Sequence, residues 1–385
     1  MNFQMKQPVL LFGALLFAIT VTIQANGQKR MRDYGITTGV FKTGKNNAIT
    51  DVPGVTVGHV TCIVGNDIRT GVTAIVPHQG NIYQQKVPAG FFAGNAYGKL
   101  AGSTQIKELG NIETPVIFTN TLNVAEGISG LVEYTLKQPG NENVKSVNAV
   151  VGETNDGELN DIRARHITKE MVIEAIEEAK DGPVEEGVVG AGTGTVAFGF
   201  KGGIGTASRV LPNSLGGYTV GVIVQSNYGG VLEIAGVPVG QLLERYNFRK
   251  NVMQDVDGSC MMLVITDAPV DSRNLERMAK RAMMGLAKTG GIASNGSGDY
   301  VIALSVNKEN LVTDDKPFYE SKVLKNDDMS PLFLATIEAT AEALWNSLFA
   351  AKEVKGYKGN IVKPIPVEKI VKFIKDARQA NPDIK

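Results

Sequence analysis

The chain has 385 residues, of which 43% are hydrophobic, so it is long enough to bury a substantial core in one large domain or two ordinary ones. Its 39 Lys and Arg residues balance 39 Asp and Glu residues, and this zero net charge argues against a nucleic-acid partner, which needs a basic surface. Two cysteines are far too few for a disulfide scaffold, and the 44 glycines, above the average usage of about 7%, predict many tight turns.

The first 27 residues differ in composition from the rest of the chain. Lys6 precedes an uncharged apolar run from Val9 to Ile23, and the small residues Ala25 and Gly27 follow it. This pattern is typical of a secretory signal peptide over residues 1–27, cleaved after Ala25 or Gly27. An uncleaved anchor is the alternative, because a basic cluster follows the run. In either case the bulk of the chain is exported, and we expect a periplasmic or secreted product with no stable membrane partner.

Short β-like runs separated by Gly and Pro turns fill the first part of the chain. Strands are predicted at Gly54–Val64, Val72–Val76, Pro115–Thr119 and Val147–Val151. The first clear helix is predicted at Thr168–Lys180, where apolar residues recur on one helical face and Thr168 serves as the N-cap.

The second part of the chain combines apolar strands with longer helices. Thr219–Gln225 and Cys260–Thr266 are apolar throughout, as expected of strands covered on both faces. Helices are predicted at Asn274–Lys288, Ser330–Ala351 and Val367–Arg378. No repeat or linker interrupts this interleaving of strands and helices, which predicts one domain of the α/β (α+β) class with its sheet layers covered by helices.

The three histidines do not indicate a metal site or a catalytic triad. His59, His78 and His166 have no metal-ligand spacing, and we predict neither a metal nor an organic cofactor. A serine hydrolase without a histidine base needs another proton acceptor. A backbone amine can serve if the serine is itself N-terminal, because its pKa of about 7.7 to 8.0 suits neutral pH.

The tetrapeptide Asp257-Gly258-Ser259-Cys260 offers a serine that could become N-terminal. It stands between the polar stretch Arg249–Asp257 and the apolar strand that starts at Cys260. The Ser259 hydroxyl could attack the carbonyl of Gly258, since glycine has no side chain to block the approach, and hydrolysis of the resulting ester would free the amine. From these two residues alone, an ordinary Gly-Ser turn before a strand is the simpler interpretation.

Several longer strings occur together and point to one protein family. They are DVPGVTVGH (Asp51–His59), RTGVTAIVP (Arg69–Pro77), GETNDGELND (Gly152–Asp161), FKGGIGTASR (Phe200–Arg209), VQSNYGG (Val224–Gly230), MLVITDAPV (Met262–Val270) and NGSGD (Asn295–Asp299). Over nearly all of the mature chain these strings resemble the DmpA-type aminopeptidases and their β-peptidyl aminopeptidase (BapA) relatives. The resemblance implies a serine aminopeptidase built as a four-layer αββα sandwich, a single domain formed by two chains after self-cleavage.

The resemblance also places the cleavage and its products. Self-cleavage is implied between Gly258 and Ser259, giving an α-chain of residues 28–258 and a β-chain of residues 259–385 that stay associated. A homo-oligomer is implied as well, a tetramer by resemblance.

The same resemblance assigns the catalytic residues. Ser259 is implied as the nucleophile, Ser297 as a second serine, and Asn227 as the side chain that stabilises the oxyanion. Asp299 matches the acidic position of the family, where a glutamate is expected. A carboxylate beside Ser297 could hold that hydroxyl and the Ser259 amine in one proton network.

An aminopeptidase must also hold the ammonium group of its substrate, which calls for a fixed carboxylate at the closed end of the pocket. Glu153 is the candidate in the GETNDG segment, with Asp156 and Asp161 as rivals, and Asn155 is predicted as a second substrate contact. Glu158 stands where relatives carry Tyr or Trp, so we do not transfer their substrate preference to this chain.

Two further expectations concern the glycine-rich segment and the reaction. GAGTGTVAFGF (Gly190–Phe200) fits neither a GxGxxG nor a Walker motif and is predicted to form a close-packed turn.

The expected substrates are short peptides, amino-acid amides or esters, with β-peptides and D-amides among the candidates. The alternatives are an acyltransferase of the ornithine acetyltransferase type, which uses an N-terminal threonine, and a non-catalytic exported binding protein that would remain one chain.

Overall fold

The computed structural model describes residues 29–246, 258–315, 317–318 and 320–380. The predicted signal peptide, residues 1–27, lies outside these ranges, as does the polar stretch Arg249–Asp257 before the predicted cleavage point. The signal peptide and the self-cleavage after this polar stretch therefore stay predictions.

The strands are short and follow the many glycine turns. In chain order they are β1 (Thr56–Val64), β2 (Ile68–Val76), β3 (Val87–Ala96), β4 (Leu100–Ala101), β5 (Asn111–Ile112), β6 (Val116–Asn120), β7 (Val150–Thr154), β8 (Val196–Ala197), β9 (Phe200–Lys201), β10 (Gly203–Val210), β11 (Thr219–Asn227), β12 (Gly258–Thr266), β13 (Ser297–Ser305), β14 (Val354–Lys355) and β15 (Ile361–Val362).

The helices begin at residues suited to helix starts. They are α1 (Ser103–Leu109), α2 (Val124–Leu136), α3 (Lys169–Glu177), α4 (Val239–Leu242), α5 (Ser272–Lys288), α6 (Ser330–Phe349) and α7 (Val367–Ala380). The Thr168 hydroxyl accepts the Met171 N–H at 3.4 Å before α3, and the Asp271 carboxylate accepts the Asn274 N–H at 2.9 Å before α5. Helix α6 is buried on almost every side, as its largely apolar sequence requires.

Two mixed sheets form the centre of the molecule. One has the strand order β1-β2-β6-β7-β4, and the other has the order β10-β11-β12-β13-β3-β5. Neighbouring strands are antiparallel except for the parallel pairs β6–β7 and β12–β13. Helices α2 and α3 pack on the first sheet, α5 and α6 pack on the second, and β7 faces β11 and β12 across the interior. The layers therefore follow the predicted αββα sandwich.

Alternation along β12 divides its side chains between two cores. Met261, Leu263 and Ile265 belong to the core between the two sheets. Met262 and Val264 belong to the core under α5 and α6. Because successive side chains of a strand point to opposite faces, this pattern also fixes the direction of every residue at the start of β12.

Each predicted strand and helix overlaps an element of the structure, but two starts are displaced by three or more residues, and β2 begins at Ile68, four residues before the predicted Val72. The strand predicted at Val147–Val151 lies three residues later, at β7. Asn148 donates its N–H to the Glu113 carboxylate at 2.8 Å instead of to a neighbouring strand, which delays the start of β7. Strands β3, β10 and β13 and helix α2 were not predicted, and neither were the shorter elements β4, β5, β8, β9, β14, β15, α1 and α4.

Candidate active site

Ser259 lies at the start of a central strand and faces the space between the sheets. It is the second residue of β12 and shares the face of Met261. Its hydroxyl donates to the carbonyl oxygen of Gly258 at 2.5 Å, and the Gly298 N–H donates to Ser259 Oγ at 3.3 Å. The hydroxyl is thus held against the peptide bond that precedes it.

Two glycines close the space around Ser259. A Cβ at position 298 would lie 2.6 Å from the Tyr97 carbonyl oxygen and 3.2 Å from Ser259 Oγ, so a side chain there would displace the backbone. A Cβ at position 258 would lie 3.0 Å from the Tyr228 Cα and 3.4 Å from Ser297 Oγ, which is tight but less severe. The backbone therefore approaches the hydroxyl more closely than any side chain would permit.

Asn227 lies directly opposite Ser259 on the neighbouring antiparallel strand β11. Side chains of such cross-strand partners have Cβ atoms about 4.5 to 5.5 Å apart. The Val196 N–H donates to Asn227 Oδ1 at 2.9 Å, which fixes the orientation of the amide. No described residue accepts a hydrogen bond from Asn227 Nδ2, so this donor is available at the site.

Ser297 and Asp299 form a hydrogen-bonded pair on β13, next to β12. The Ser297 hydroxyl donates to Asp299 Oδ1 at 2.9 Å, and Ser297 is the parallel partner of Gly258. Both side chains share the face of Val301, beneath the helices, so they lie behind the strand that carries the Ser259 hydroxyl. The structure therefore brings this pair to the Gly258–Ser259 peptide rather than to the inter-sheet side of Ser259.

Burial sets the electrostatics of Asp299. It raises the pKa of Asp299 to about 6, while the hydrogen bond from Ser297 and the nearby Cys260 N–H lower it. Asp299 Oδ2 is buried with no hydrogen-bond partner among the described residues. A carboxyl group with these properties can exchange a proton near neutral pH.

Asn95, a residue that the sequence analysis missed, holds the loop before β13. Its side-chain amide donates to the carbonyl oxygens of Ser294 at 2.9 Å, Asn295 at 3.2 Å and, at a shorter distance, Ser297. An Asn within a Gly- and Ala-containing strand was the available signal, but its partners lie about two hundred positions away in sequence.

Glu153 lies near the end of β7 with only 3% of its surface exposed. Its carboxylate accepts the Lys99 N–H at 3.0 Å and the Thr121 hydroxyl, and the Lys99 ammonium lies 3.7 Å from Oε1. Gly98 lies between Glu153 and the backbone beside the nucleophile. A Cβ at position 98 would lie 2.9 Å from Glu153 Oε1 and 3.7 Å from the Gly298 Cα. Glu153 is therefore close to the backbone that contacts Ser259.

The other candidates from the same segment lie elsewhere. Asp156 is buried and accepts the Asn160 amide at 2.9 Å, and burial raises its pKa to about 7 while the hydrogen bonds of Thr70 and Asn160 lower it. Asn155 is exposed and accepts the Gly157 N–H at 2.9 Å within its own turn. Asp161 is only partly buried, and its N–H donates to the Asp67 carbonyl oxygen. The substrate contact of Asn155 stays a prediction.

Among the described residues, no histidine or cysteine side chain hydrogen-bonds to Ser259. His59 instead contacts the Thr73 hydroxyl at 2.9 Å. Burial lowers the pKa of His59 to about 4. Cys62 and Cys260 are both buried free thiols.

The described residues offer neither a cluster of metal ligands nor a membrane-spanning helix. These residues contain no group of three or more His, Cys, Asp or Glu side chains placed to hold a metal ion. Within the same ranges, no helix is both long and apolar enough to cross a membrane.

Comparison with known proteins gives a consistent result. The model of peptidase family S58 matches residues 47–362. Beta-peptidyl aminopeptidase BapA of Sphingosinicella microcystinivorans is 37% identical over 398 residues, covering 97% of this chain and 98% of that protein.

Solved structures extend the likeness to three dimensions. A protein of Pyrococcus horikoshii OT3 is 46% identical with a TM-score of 0.84, covering 91% of this chain and 99% of that one. The L-aminopeptidase D-Ala-esterase/amidase of Ochrobactrum anthropi, a prototype of the serine aminopeptidases and a variant of the Ntn hydrolase fold, is 33% identical with a TM-score of 0.81. The match covers 90% of this chain and 98% of that protein's chain.

Proposed function

Because the chain belongs to peptidase family S58 and is an aminopeptidase, we propose that it cuts its own backbone between Gly258 and Ser259 and then uses Ser259 as an N-terminal nucleophile. The observation that carries this proposal is the 2.5 Å hydrogen bond from the Ser259 hydroxyl to the Gly258 carbonyl oxygen. No histidine base accompanies the serine in the described structure, which fits a mechanism that takes its base from the backbone.

Maturation begins with attack of Ser259 Oγ on the Gly258 carbonyl carbon. The bond between that carbon and the Ser259 nitrogen breaks as the nitrogen takes up a proton, which leaves an ester between Gly258 and Ser259 Oγ. Water then hydrolyses the ester, giving a carboxylate on Gly258 and a free amine on Ser259. Asp299, whose raised pKa suits proton exchange, lies with Ser297 beside this peptide and supplies the proton network.

The mature site repeats this chemistry on a substrate. The Ser259 amine takes the hydroxyl proton as Oγ attacks the substrate carbonyl, and it returns the proton to the departing amine. Asn227 Nδ2 donates to the oxyanion, a contribution on the order of 2.7 to 4 kcal/mol for one such donor. Water then releases the acyl group from Ser259.

The substrate class follows from the carboxylate beside the nucleophile. Glu153 is a buried carboxylate, and the Lys99 ammonium 3.7 Å from it is half-exposed, so the free amine of a substrate can take the place of Lys99 beside it. Short peptides, amino-acid amides and esters are therefore the proposed substrates. Peptides that begin with a β-amino acid are included, because a relative that spans nearly the whole chain is a β-peptidyl aminopeptidase.

Three further properties are proposed on sequence and family grounds. The α-chain of residues 28–258 and the β-chain of residues 259–385 remain associated, and the enzyme is a homo-oligomer. Export to the periplasm or the medium is proposed from the apolar run Val9–Ile23, which precedes the described residues.

Intact mass and N-terminal sequencing of the wild type and of Ser259→Ala test the maturation step. We expect two wild-type chains, one beginning Ser-Cys-Met-Met, and an uncut variant. A folded wild-type preparation that stays as one chain would remove the self-processing mechanism and favour a binding protein.

A hydrolysis assay with and without an added amine acceptor distinguishes a hydrolase from an acyltransferase. We expect release of the free amino acid from its p-nitroanilide in plain buffer. Turnover that depends on an amine acceptor would instead favour the acyltransferase of the ornithine acetyltransferase type.

A further inference from the structure

The glycine-rich segment Gly190–Phe200 has no role in the chemistry described so far. Its first turn is fixed to both sheets. The Gly190 N–H donates to the Thr61 hydroxyl at 2.8 Å, and the Gln225 side chain on β11 donates to the Ala191 carbonyl oxygen at 2.8 Å. The segment is thus a close-packed turn, as predicted, and its residue Val196, the first of β8, lies beside Asn227.

Lys201 binds backbone carbonyl oxygens of this turn. Its side chain is fully buried, and its Nζ donates to the carbonyl oxygens of Gly192 at 2.9 Å, Thr195 at 2.8 Å and Gly202 at 2.9 Å. These three acceptors use all three N–H bonds of an ammonium group. No described carboxylate lies within 4.0 Å of Nζ, so the cation is held by backbone alone.

We propose that Lys201 is a positioning residue for Asn227, acting through the turn at Gly192–Val196. The proposal rests on the proposed function, in which Asn227 stabilises the oxyanion. Lys201 holds the Thr195 carbonyl, and the next N–H along the chain, that of Val196, donates to Asn227 Oδ1 at 2.9 Å. A turn that is fixed in this way presents Asn227 Nδ2, rather than Oδ1, to the developing negative charge.

Stability alone gives little reason for this lysine. A buried ammonium loses its hydration, and hydrogen bonds to neutral carbonyl oxygens replace that hydration without a counter-charge. Burial lowers the pKa of Lys201 to about 7, against the attraction of Asp156, which raises it. The group that compensates this cost is the peptide turn that orients Asn227.

The test is a double-mutant cycle on the mature enzyme, with Lys201→Met and Asn227→Ala alone and combined. The rate is kcat per titrated active site for an amino-acid p-nitroanilide. We expect Lys201→Met to lower kcat ten- to a hundredfold with KM within about twofold, and to have no further effect in the Asn227→Ala background. Equal losses in both backgrounds, or an unchanged kcat with only a lower Tm, would overturn the proposal.

Arg209→Met is the matched control, because it also removes a fully buried cation from the same part of the chain but leaves the turn untouched. Its kcat per active site is expected to equal that of the wild type. Val196→Pro removes the N–H that contacts Asn227 while keeping Lys201, and we expect it to reproduce the kcat loss.

Crystal structures of uncut Ser259→Ala proteins give a readout that does not depend on turnover. The contact between the Val196 nitrogen and Asn227 Oδ1 is expected to be lost with Lys201→Met and kept with Arg209→Met. A contact kept in both contradicts the positioning role. If Asn227→Ala alone keeps the wild-type kcat, the oxyanion role fails instead, and the two failures are thereby distinguished.

Discussion

The surroundings of Ser259 and the surroundings of Arg209 are both buried and polar, yet they are built in opposite ways. Arg209 donates to Glu338 at 3.0 Å and to Glu342 at 2.8 Å, and Arg32 donates two further bonds to Glu342. With Asn47, these residues form what we call the Arg209 cluster. None of its side-chain nitrogen or oxygen atoms is buried without a partner.

The Ser259 region leaves polar atoms unpaired. Asp299 Oδ2 has no partner, and Asn227 Nδ2 has no acceptor among the described residues. The pKa shifts follow the same division. Burial raises the pKa of Glu342, but the Arg32 hydrogen bond and the attraction of both arginines outweigh it, so the pKa is lowered, whereas that of Asp299 is raised. Full pairing indicates a stabilising role, and incomplete pairing indicates a group kept for chemistry.

The largest expected effect is on the activity of Asp299→Asn. Loss of a proton-exchanging group typically costs about 10²- to 10⁴-fold, so we expect kcat to fall by at least about a hundredfold. Steady-state kinetics on the processed enzyme measure this loss, and circular dichroism serves as the folding control. A kcat within threefold of the wild type would place Asp299 with the structural residues.

Arg209→Met should show the opposite pattern. It leaves Glu338 and Glu342 buried without their partner, and breaking a buried ion pair in this way costs about 3 to 5 kcal/mol. Urea unfolding of the uncut Ser259→Ala protein measures the change. If stability is unaffected, the Arg209 cluster does not hold the fold and the comparison fails.

The pH dependence of stability sharpens the contrast further. Because the folded pKa of Asp299 lies near 6 against 3.8 unfolded, its ionisation destabilises the fold as pH rises between about 4 and 6. In the Ser259→Ala background, Asp299→Asn should therefore match its parent near pH 3.5 and gain up to about 3 kcal/mol by pH 7.

Glu342→Gln is the counterpart of that experiment. The lowered pKa of Glu342 contributes stability above its ordinary value of 4.5, and this contribution is lost as pH falls through the folded pKa. The variant should be less stable at pH 7, with a deficit that shrinks toward pH 3. Parallel curves for the two substitutions would contradict the opposite shifts.

Lys99→Ala should have the smallest effect. The Lys99 ammonium is half-exposed and 3.7 Å from the buried Glu153 carboxylate, so solvent screens the pair from the lysine side. If it competes with the substrate amine, its removal should lower KM by up to about fivefold with kcat unchanged. Lys107→Ala, which breaks a more exposed pair with Glu276 at 3.8 Å, is the control and should leave KM unaltered.

Much of the fold could be predicted because burial on both faces leaves an apolar run in the sequence. Thr219–Gln225 and Cys260–Thr266 became the central strands β11 and β12 for this reason. Strands β3 and β10 were not predicted because they contain Gly, Ala and Ser, whose propensities do not favour strands. Tertiary contacts decide their structure.

The site was only partly predictable, since its contacts join distant segments. The resemblance supplied Ser259, Ser297, Asp299, Asn227 and Glu153, and the structure places each of them around the start of β12; their roles stay predictions. Nothing local distinguishes Asn95 or Lys201 from other polar residues. Their partners are backbone carbonyls of loops, and backbone carbonyls carry no sequence signal.

The strand order of the second sheet bears on how a cut molecule would lose its folded structure. Strands β12 and β13 follow the proposed cut, yet they lie between β11 and β3, which both precede it. Separation of the pieces would have to break two strand ladders together, so a nicked protein would stay together as one body. Once heat has opened the sheet, however, reassembly needs an encounter between two molecules, and dilution slows it. The durability of a cut protein would then be set by its unfolding rate, whereas an uncut precursor could still refold by itself.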